Sequence, residues 1–298
     1  MNSNTPLWMV HASMFVAILL IAAQYPMIVA IAHALDATVM TLLRFVFAVL
    51  ILTPYIVIAH RPALPSRREL FEYLLISFTL CGFFVGAFAG LRYTSALNTG
   101  ALHTTVPGLS ALCAIYLVHQ RPPRNQILAL FVGMFGALWV IFRGELQRVL
   151  ALDVNVGDLI FFGGCCALAL YVPLIQRFYR GQSMVVLLFW VLCWSAIIMF
   201  IICIPDLGTV AWREIDLVVW IYLVCIGFFP TVVSNVIIQS GAVLIGTTRA
   251  VAYMYMTPSL VLFVDWMMGK GLPDFRTIVG VLIVLTAIVV LQRKDPVA

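Results

Sequence analysis

The chain has 298 residues, of which 64% are hydrophobic and 10% charged, with a mean hydropathy of +1.10. A soluble domain carries roughly 25% charged residues, so no soluble fold hides this much apolar surface in a chain of this length. The formal net charge of +5 comes from basic residues scattered between apolar runs, not gathered in one stripe, which sets nucleic-acid binding aside.

A membrane-spanning helix needs about 20 apolar residues. Such runs fall at 8–30, 38–58, 73–90, 98–118, 126–142, 157–175, 184–204, 217–238, 247–267 and 275–291, which predicts an all-α integral membrane protein of ten transmembrane helices. Met1 to His11 contain no Lys or Arg, so the first run lacks the basic leader of a signal peptide and is expected to remain as a helix. The breaks carry helix-stopping residues, as in Arg61-Pro62, Arg121-Pro122-Pro123-Arg124, Pro205-Asp206 and Gly269-Lys270-Gly271. The longest, Arg143 to Gly157, divides the chain into two sets of five, so residues 1–150 and 151–298 are expected to be two five-helix repeats of one membrane domain. Five is odd, so two similar halves must lie inverted in the bilayer. Short matches agree: Tyr25-Pro26 with Tyr171 and Pro173, and Thr105-Val106-Pro107 with Met256-Thr257-Pro258.

Gly82, Gly86 and Gly90 in the third helix recur every four residues, a smooth face for tight packing or for a sliding surface. Pro107 and Pro258 lie within the fourth and ninth helices, where each either kinks its helix or, as a matched pair, opens a binding site. Polar side chains within the runs include Gln24, Tyr25, Arg44, His103, Tyr171, Asn235, Arg249, Tyr253, Tyr255 and Asp265. Polar and ionisable groups at membrane depth are costly and are functional candidates by default. The plainer readings are that Arg44 and Arg249 snorkel to the interface, that Asp265 pairs with Lys270, and that His103 packs between helices instead of binding substrate or a proton. No Asp or Glu is central in any run, which disfavours carboxylate-driven coupling and leaves facilitated export, exchange or a histidine relay. The seven cysteines, all inside apolar runs and without metal-ligand spacing, read as small hydrophobes.

Gly90-Leu91-Arg92-Tyr93-Thr94-Ser95-Ala96, then Asn98 and Thr105-Val106-Pro107, resembles the helix 3 to helix 4 signature of the EamA branch of the drug/metabolite transporter superfamily. Leu43-Arg44-Phe45, Gly157-Asp158-Leu159, Ala169-Leu170-Tyr171, Gly246 to Ala250 and Pro258 agree in order, so the resemblance spans nearly the whole chain. It implies a ten-helix inverted-repeat carrier with cytoplasmic termini and a central cavity lined by both halves. The chain departs from it at His119-Gln120 and Gly269-Lys270, where the family commonly has Gly-Glu. Trp190 and Trp194 fit either an aromatic substrate or lipid contact.

These observations lead to a secondary transporter, an exporter of small polar metabolites such as amino acids, working by alternating access between the repeats. Its expected substrate-binding set is Gln24, Tyr25, Arg44, His103, Tyr171, Asn235, Tyr253 and Tyr255. No catalytic residue, metal or cofactor is expected; the expected partners are a small-molecule substrate and the lipid of the cell inner membrane, with the chain a monomer or homodimer. A membrane-embedded enzyme would need a clustered acid/base pair, metal ligands or an activated nucleophile at a recognisable spacing. A receptor or scaffold would need a soluble sensing or docking segment, and the loops are too short for one.

With the N-terminus cytoplasmic, inside segments carry nine Lys and Arg residues (Arg61, Arg67, Arg68, Arg121, Arg124, Arg177, Arg180, Arg293, Lys294) and outside segments six (Arg92, Arg143, Arg148, Arg213, Lys270, Arg276). Reporter fusions active only in the periplasm should therefore be silent both between His60 and Glu72 and after Arg293; activity at either point reverses the orientation.

Overall fold

Among the described residues, ten helices are long and apolar enough to cross a membrane: α1 (Leu7–Ile31), α2 (Ala37–Ala59), α3 (Arg67–Leu91), α4 (Asn98–Leu117), α5 (Arg124–Ile141), α6 (Val156–Phe178), α7 (Met184–Leu207), α8 (Leu217–Ile245), α9 (Thr247–Met267) and α10 (Phe275–Gln292). This computed structural model describes residues 5–60, 64–145, 147 and 155–292. The expected junction of the halves at 150/151, and Arg61, Arg148, Arg293 and Lys294 of the charge count, lie outside the described residues.

The third and eighth helices extend furthest beyond the runs that hydropathy predicts. The third begins at Arg67, not 73, because Ser66 and Glu69 form a capping box, with Ser66 N–H donating to Glu69 Oε2 at 2.8 Å and Ser66 Oγ accepting from Glu69 N–H at 3.3 Å. Glu72 on its second turn is buried yet paired, to Arg68 at 3.1 Å and to Arg180 at 2.5 Å. The eighth continues to Ile245 and stops at Gly246, whose φ of 87° lets the chain reverse within one residue into α9.

Successive helices run antiparallel, so α1 begins and α10 ends at one face of the membrane, here termed the N-terminal face. The packing pattern repeats when every helix number is advanced by five. α3 packs on α6 as α8 packs on α1; α3 on α7 as α8 on α2; α4 on α6 as α9 on α1. α2 with α7, α5 with α10 and α4 with α9 map onto themselves. This is the signature of two five-helix repeats in inverted orientation.

Small residues allow these contacts. A Cβ placed on Gly86 would stand 2.9 Å from the Cα of Gly164 in α6, and one on Gly90 2.8 Å from the carbonyl oxygen of Gly157. The glycine stripe of α3 is thus the seat of α6. α5 and α10 meet in the same way at Gly136 and Gly280, each facing a valine of the other helix. The outer side of α5 presents Leu128, Phe131 and Phe135 to lipid, at the spacing of one helical face.

Asp158 explains why the α3–α4 and α6 motifs share one signature. Its carboxylate accepts from Thr94 Oγ1, from Asn98 Nδ2 at 3.1 Å and from the Asn155 N–H at 2.9 Å, tying the loop after α3 to the start of α6. The group is buried and held entirely by donors, the only economical way to keep a carboxylate there.

Gly86→Leu should therefore lower stability by about 1–3 kcal/mol or more, since the clash is with backbone, while Gly163→Ala, with nothing within 4 Å of an added Cβ, should be tolerated. Thermal unfolding of the purified variants in detergent checks both; an unaffected Gly86→Leu would show that α3 and α6 separate readily.

Candidate functional site

Two of the ten helices are broken, at corresponding places. α4 is helical from Ala96 to His103 and resumes at Val106, while α9 is helical from Thr247 to Ala252, tightens into a 3₁₀ turn over Tyr253–Met256 and resumes at Thr257. Each break lies just before a proline, Pro107 or Pro258, which lacks the N–H that would bond the carbonyl four residues back. The α4 break is patched locally: Thr104 Oγ1 donates to the Ala101 carbonyl at 2.6 Å and Thr105 Oγ1 to that of Leu102 at 2.7 Å. Backbone freed at membrane depth is tolerated only inside protein or beside a cavity.

A cavity of about 300 Å³ lies between the two breaks, toward the face opposite the N-terminal one. Its wall includes Tyr25 of α1, Gly100 and His103 of α4, Met254 and Tyr255 of α9, and Arg143 just beyond α5. Of the eight residues expected in a substrate site, Tyr25, His103 and Tyr255 meet here. His103 also packs its ring at 5.7 Å from that of Phe83.

The other five lie in separate clusters. Arg44 of α2 donates from Nη2 to Gln24 Oε1 at 2.8 Å and from Nε to Thr231 Oγ1 at 2.5 Å, a few residues from Tyr25 but outside the cavity wall. It does not snorkel: both partners belong to other helices, α1 and α8. Tyr171 accepts from Gln239 Nε2 at 2.8 Å and lies 3.4 Å from Asn235 Oδ1. Tyr253 pairs with His11 Nδ1 at 2.8 Å. Arg249, beside Gln126, likewise stays in the interior: with the Gln126 amide oxygen turned toward it, that oxygen accepts from Nη2 at 3.0 Å and Nε at 3.1 Å. Asp265 does pair with Lys270, at 2.8 Å.

On the N-terminal face neutral polar groups bridge the helices, beside a depression of about 250 Å³ lined by Gln120, Gln126 and Arg249. Gln176 Oε1 of α6 accepts from Gln120 Nε2 at 2.9 Å and from Thr247 Oγ1 of α9, and Gln292 Nε2 of α10 donates to the Arg249 carbonyl at 3.1 Å. Gln120 occupies one of the positions where the resembling family has Glu, and His119 before it holds φ 56°, a conformation natural to the family's glycine. The first half of α9 packs against α6 here. At the symmetry-related place on the opposite face, between α1 and the first half of α4, lies the cavity. Tyr25 and Tyr171, which match in the repeats, differ accordingly: Tyr25 is 43% exposed and Tyr171 3%.

Sequence reasoning passed over His11, Gln176, Gln239, Thr231 and Thr247, and noted Gln120 only as a departure from the Gly-Glu of the resembling family. His11, inside the run 8–30, was legible by the rule that singled out Gln24, whereas Gln176 and Gln239 each lie one residue beyond the predicted runs 157–175 and 217–238. Gln120, in a loop, and the two threonines carry no such signal.

Tyr25→Phe and Tyr171→Phe should differ. The Tyr25 hydroxyl makes no hydrogen bond among the described residues, so its loss should leave thermal stability unchanged. Removing the Tyr171 hydroxyl strands the fully buried Gln239 amide, which should cost about 1–2 kcal/mol in the melting of the detergent-solubilised protein. Equal melting of the two variants would refute the asymmetry of the pair.

Comparison with known proteins places this arrangement. The pattern of the EamA-like transporter family matches residues 7–142 and 155–293. The uncharacterized transporter YyaM of Bacillus subtilis (strain 168) is 24% identical over 220 residues, 74% of this chain and 72% of its own length. The uncharacterized transporter YdfC of the same organism is 20% identical over 219 residues, 73% of this chain and 69% of its own. A crystal structure with 15% identity superposes with a TM-score of 0.75 over 96% of this chain and 98% of that one, a likeness of fold alone. With both halves of the described fold matched, the chain belongs to the EamA-like transporter family.

Proposed function

We propose that this membrane transporter is a secondary exporter of small polar metabolites, amino acids and related compounds among them, and that it works by alternating access. The observation carrying this reading is the difference between symmetry-related places: a cavity of about 300 Å³ lies among α1, α4, α5 and α9 on one face, while on the other Gln120, Gln176 and Thr247 bridge α6 and α9 beside a depression of about 250 Å³. Exchanging these two conditions between the inverted halves would carry a solute from one face to the other without moving its site far. With the N-terminus cytoplasmic, the structure corresponds to the outward-open state, the cavity facing the periplasm across the inner membrane.

The substrate site on this reading centres on Tyr25, His103 and Tyr255, with Gln24 and Arg44 behind Tyr25. Tyr171, Asn235 and Tyr253 would come to the cavity only when the N-terminal face opens. The cavity is at the small end of the range for small-molecule sites, which suits a metabolite better than a bulky drug.

Metabolite levels inside and outside cells, with and without overexpression, test the proposal. A defined set of small polar compounds should leave the cells faster on overexpression, and Gly100→Trp should abolish the effect. Gly100 faces the cavity, and an added Cβ comes no nearer than 3.7 Å to Ile141, so the indole fills the cavity without a backbone clash. No change on overexpression, or the same change with correctly inserted Gly100→Trp, overturns the reading.

A further inference from the structure

Arg44 lies seven residues inside the opposite-face end of α2, about 10 Å along the helix, at a depth similar to Tyr25 in α1 and His103 in α4. An arginine so placed, half-buried among apolar helices, ordinarily pairs with a carboxylate or faces water. Among the described residues no carboxylate pairs with it. Its contacts are all neutral: the Gln24 amide oxygen, the Thr231 hydroxyl and the Phe84 ring, 5.4 Å from its Cζ.

A guanidinium has five N–H donors. Thr231 takes one and Gln24 another, leaving three with no acceptor among the described residues. The fork is nonetheless held. Thr231 sits in a π-helical stretch of α8, Gly227–Val233, and its own hydroxyl donates to the Ile226 carbonyl at 2.9 Å, so its oxygen is oriented to accept from Arg44. A Cβ on Gly227 would meet the Arg44 carbonyl oxygen at 3.0 Å, so α8 approaches α2 directly beside this residue. A merely structural arginine would use its donors on the helices it joins. This one is clamped on one edge and unused on the other.

The next residue after Gln24 is Tyr25, which lines the cavity and whose hydroxyl makes no hydrogen bond among the described residues. Unused donors of both kinds thus stand at one depth, Tyr25 in the cavity wall and Arg44 behind it. Among the described residues the cavity wall contains no Asp or Glu, and Arg143 is part of it.

We propose that Arg44, with the hydroxyl of Tyr25, is the docking point for the carboxylate of an organic acid whose apolar body fills the cavity between the α4 and α9 breaks. The ligand is an acid, as anion or zwitterion, because the unused donors of Arg44 call for an acceptor of opposite charge, and among the described residues the wall offers an organic cation no carboxylate. Planar two-point bonding to a carboxylate is what a guanidinium does and an ammonium does not. This inference rests on the transporter reading for its biological use, but the site is defined by binding alone.

Binding to the full-length protein in lipid nanodiscs tests it with three probes sharing one aromatic body: 3-phenylpropionate, phenylalanine and phenethylamine, read as ligand-induced thermal stabilisation. The two carboxylates should stabilise the protein and the amine should not. Arg44→Gln should weaken carboxylate binding at least about tenfold, and Arg44→Lys, which keeps the charge and loses the fork, should fall between. Should Arg44→Gln fail to fold, judged by its melting without ligand, Arg44→Lys decides alone: an unchanged affinity refutes the site. It is also refuted if neither acid stabilises the wild type, if the amine matches them, or if folded Arg44→Gln binds them undiminished. Carboxylate binding that depends on Arg44 in a protein that exports nothing would overturn the transport reading and leave the site standing; export indifferent to Arg44→Lys would do the reverse.

Discussion

Lipid offers no hydrogen-bond partner, and this one constraint arranges the molecule. Every polar group within the ten helices must be satisfied by another part of the chain or by water in a cavity. Asp158 is therefore surrounded by donors from the α3–α4 loop, and Glu72 lies between two arginines. The breaks in α4 and α9, which free backbone groups, sit opposite one another at the centre, where each faces protein or the cavity instead of acyl chains. Glycine contacts between α3 and α6, and between α5 and α10, hold the frame around them, because close backbone approach replaces the hydrophobic driving force that lipid cannot supply.

Within that frame the two halves are alike in topology and unlike in state. If both halves had the same local conformation, the α1–α4 and α6–α9 gaps would be equally open. Instead Tyr25 in one is exposed at the cavity and Tyr171 in the other is buried. The side chains differ as well as the conformations: Gln176 and Thr247 close one gap, and the corresponding region near Tyr25 and Gly100 has no matching amide latch among the described residues. Sequence divergence between inverted repeats can thus bias which face is closed, with no change to the fold.

Much of the fold was legible in the sequence for a physical reason: hydropathy and helix-stopping residues report directly on what lipid tolerates. Ten runs, the paired prolines and the odd count per half sufficed for an inverted repeat. The start of α3 was missed because Arg67 to Glu72 is charged, and only the capping box, not hydropathy, extends the helix there. The site was less legible. Polarity within a run marks Tyr25, His103 and Tyr171 alike and cannot say which of them a given conformation exposes. Arg44 was ambiguous for a similar reason: its distance from the helix end permits snorkelling, and only the positions of Gln24 and Thr231, on helices remote in sequence, show that the side chain turns inward.

The closed face is held mainly by amides and hydroxyls, and this bears on how the proposed cycle could run. Interhelical hydrogen bonds in membranes average about 0.6 kcal/mol, because the separated groups find other partners. Breaking the Gln120–Gln176–Thr247 cluster therefore costs little, provided its members are hydrated as the face opens. A buried ion pair at the same place would leave two unpaired charges on opening, at several kcal/mol each. The Glu72–Arg180 pair does not contradict this, since Arg180 lies in the exposed loop after α6 and the pair joins that loop to α3, not α6 to α9. Substitution of an amide for the family's acid at Gln120 is thus consistent with a latch weak enough for a small solute's binding energy to tip.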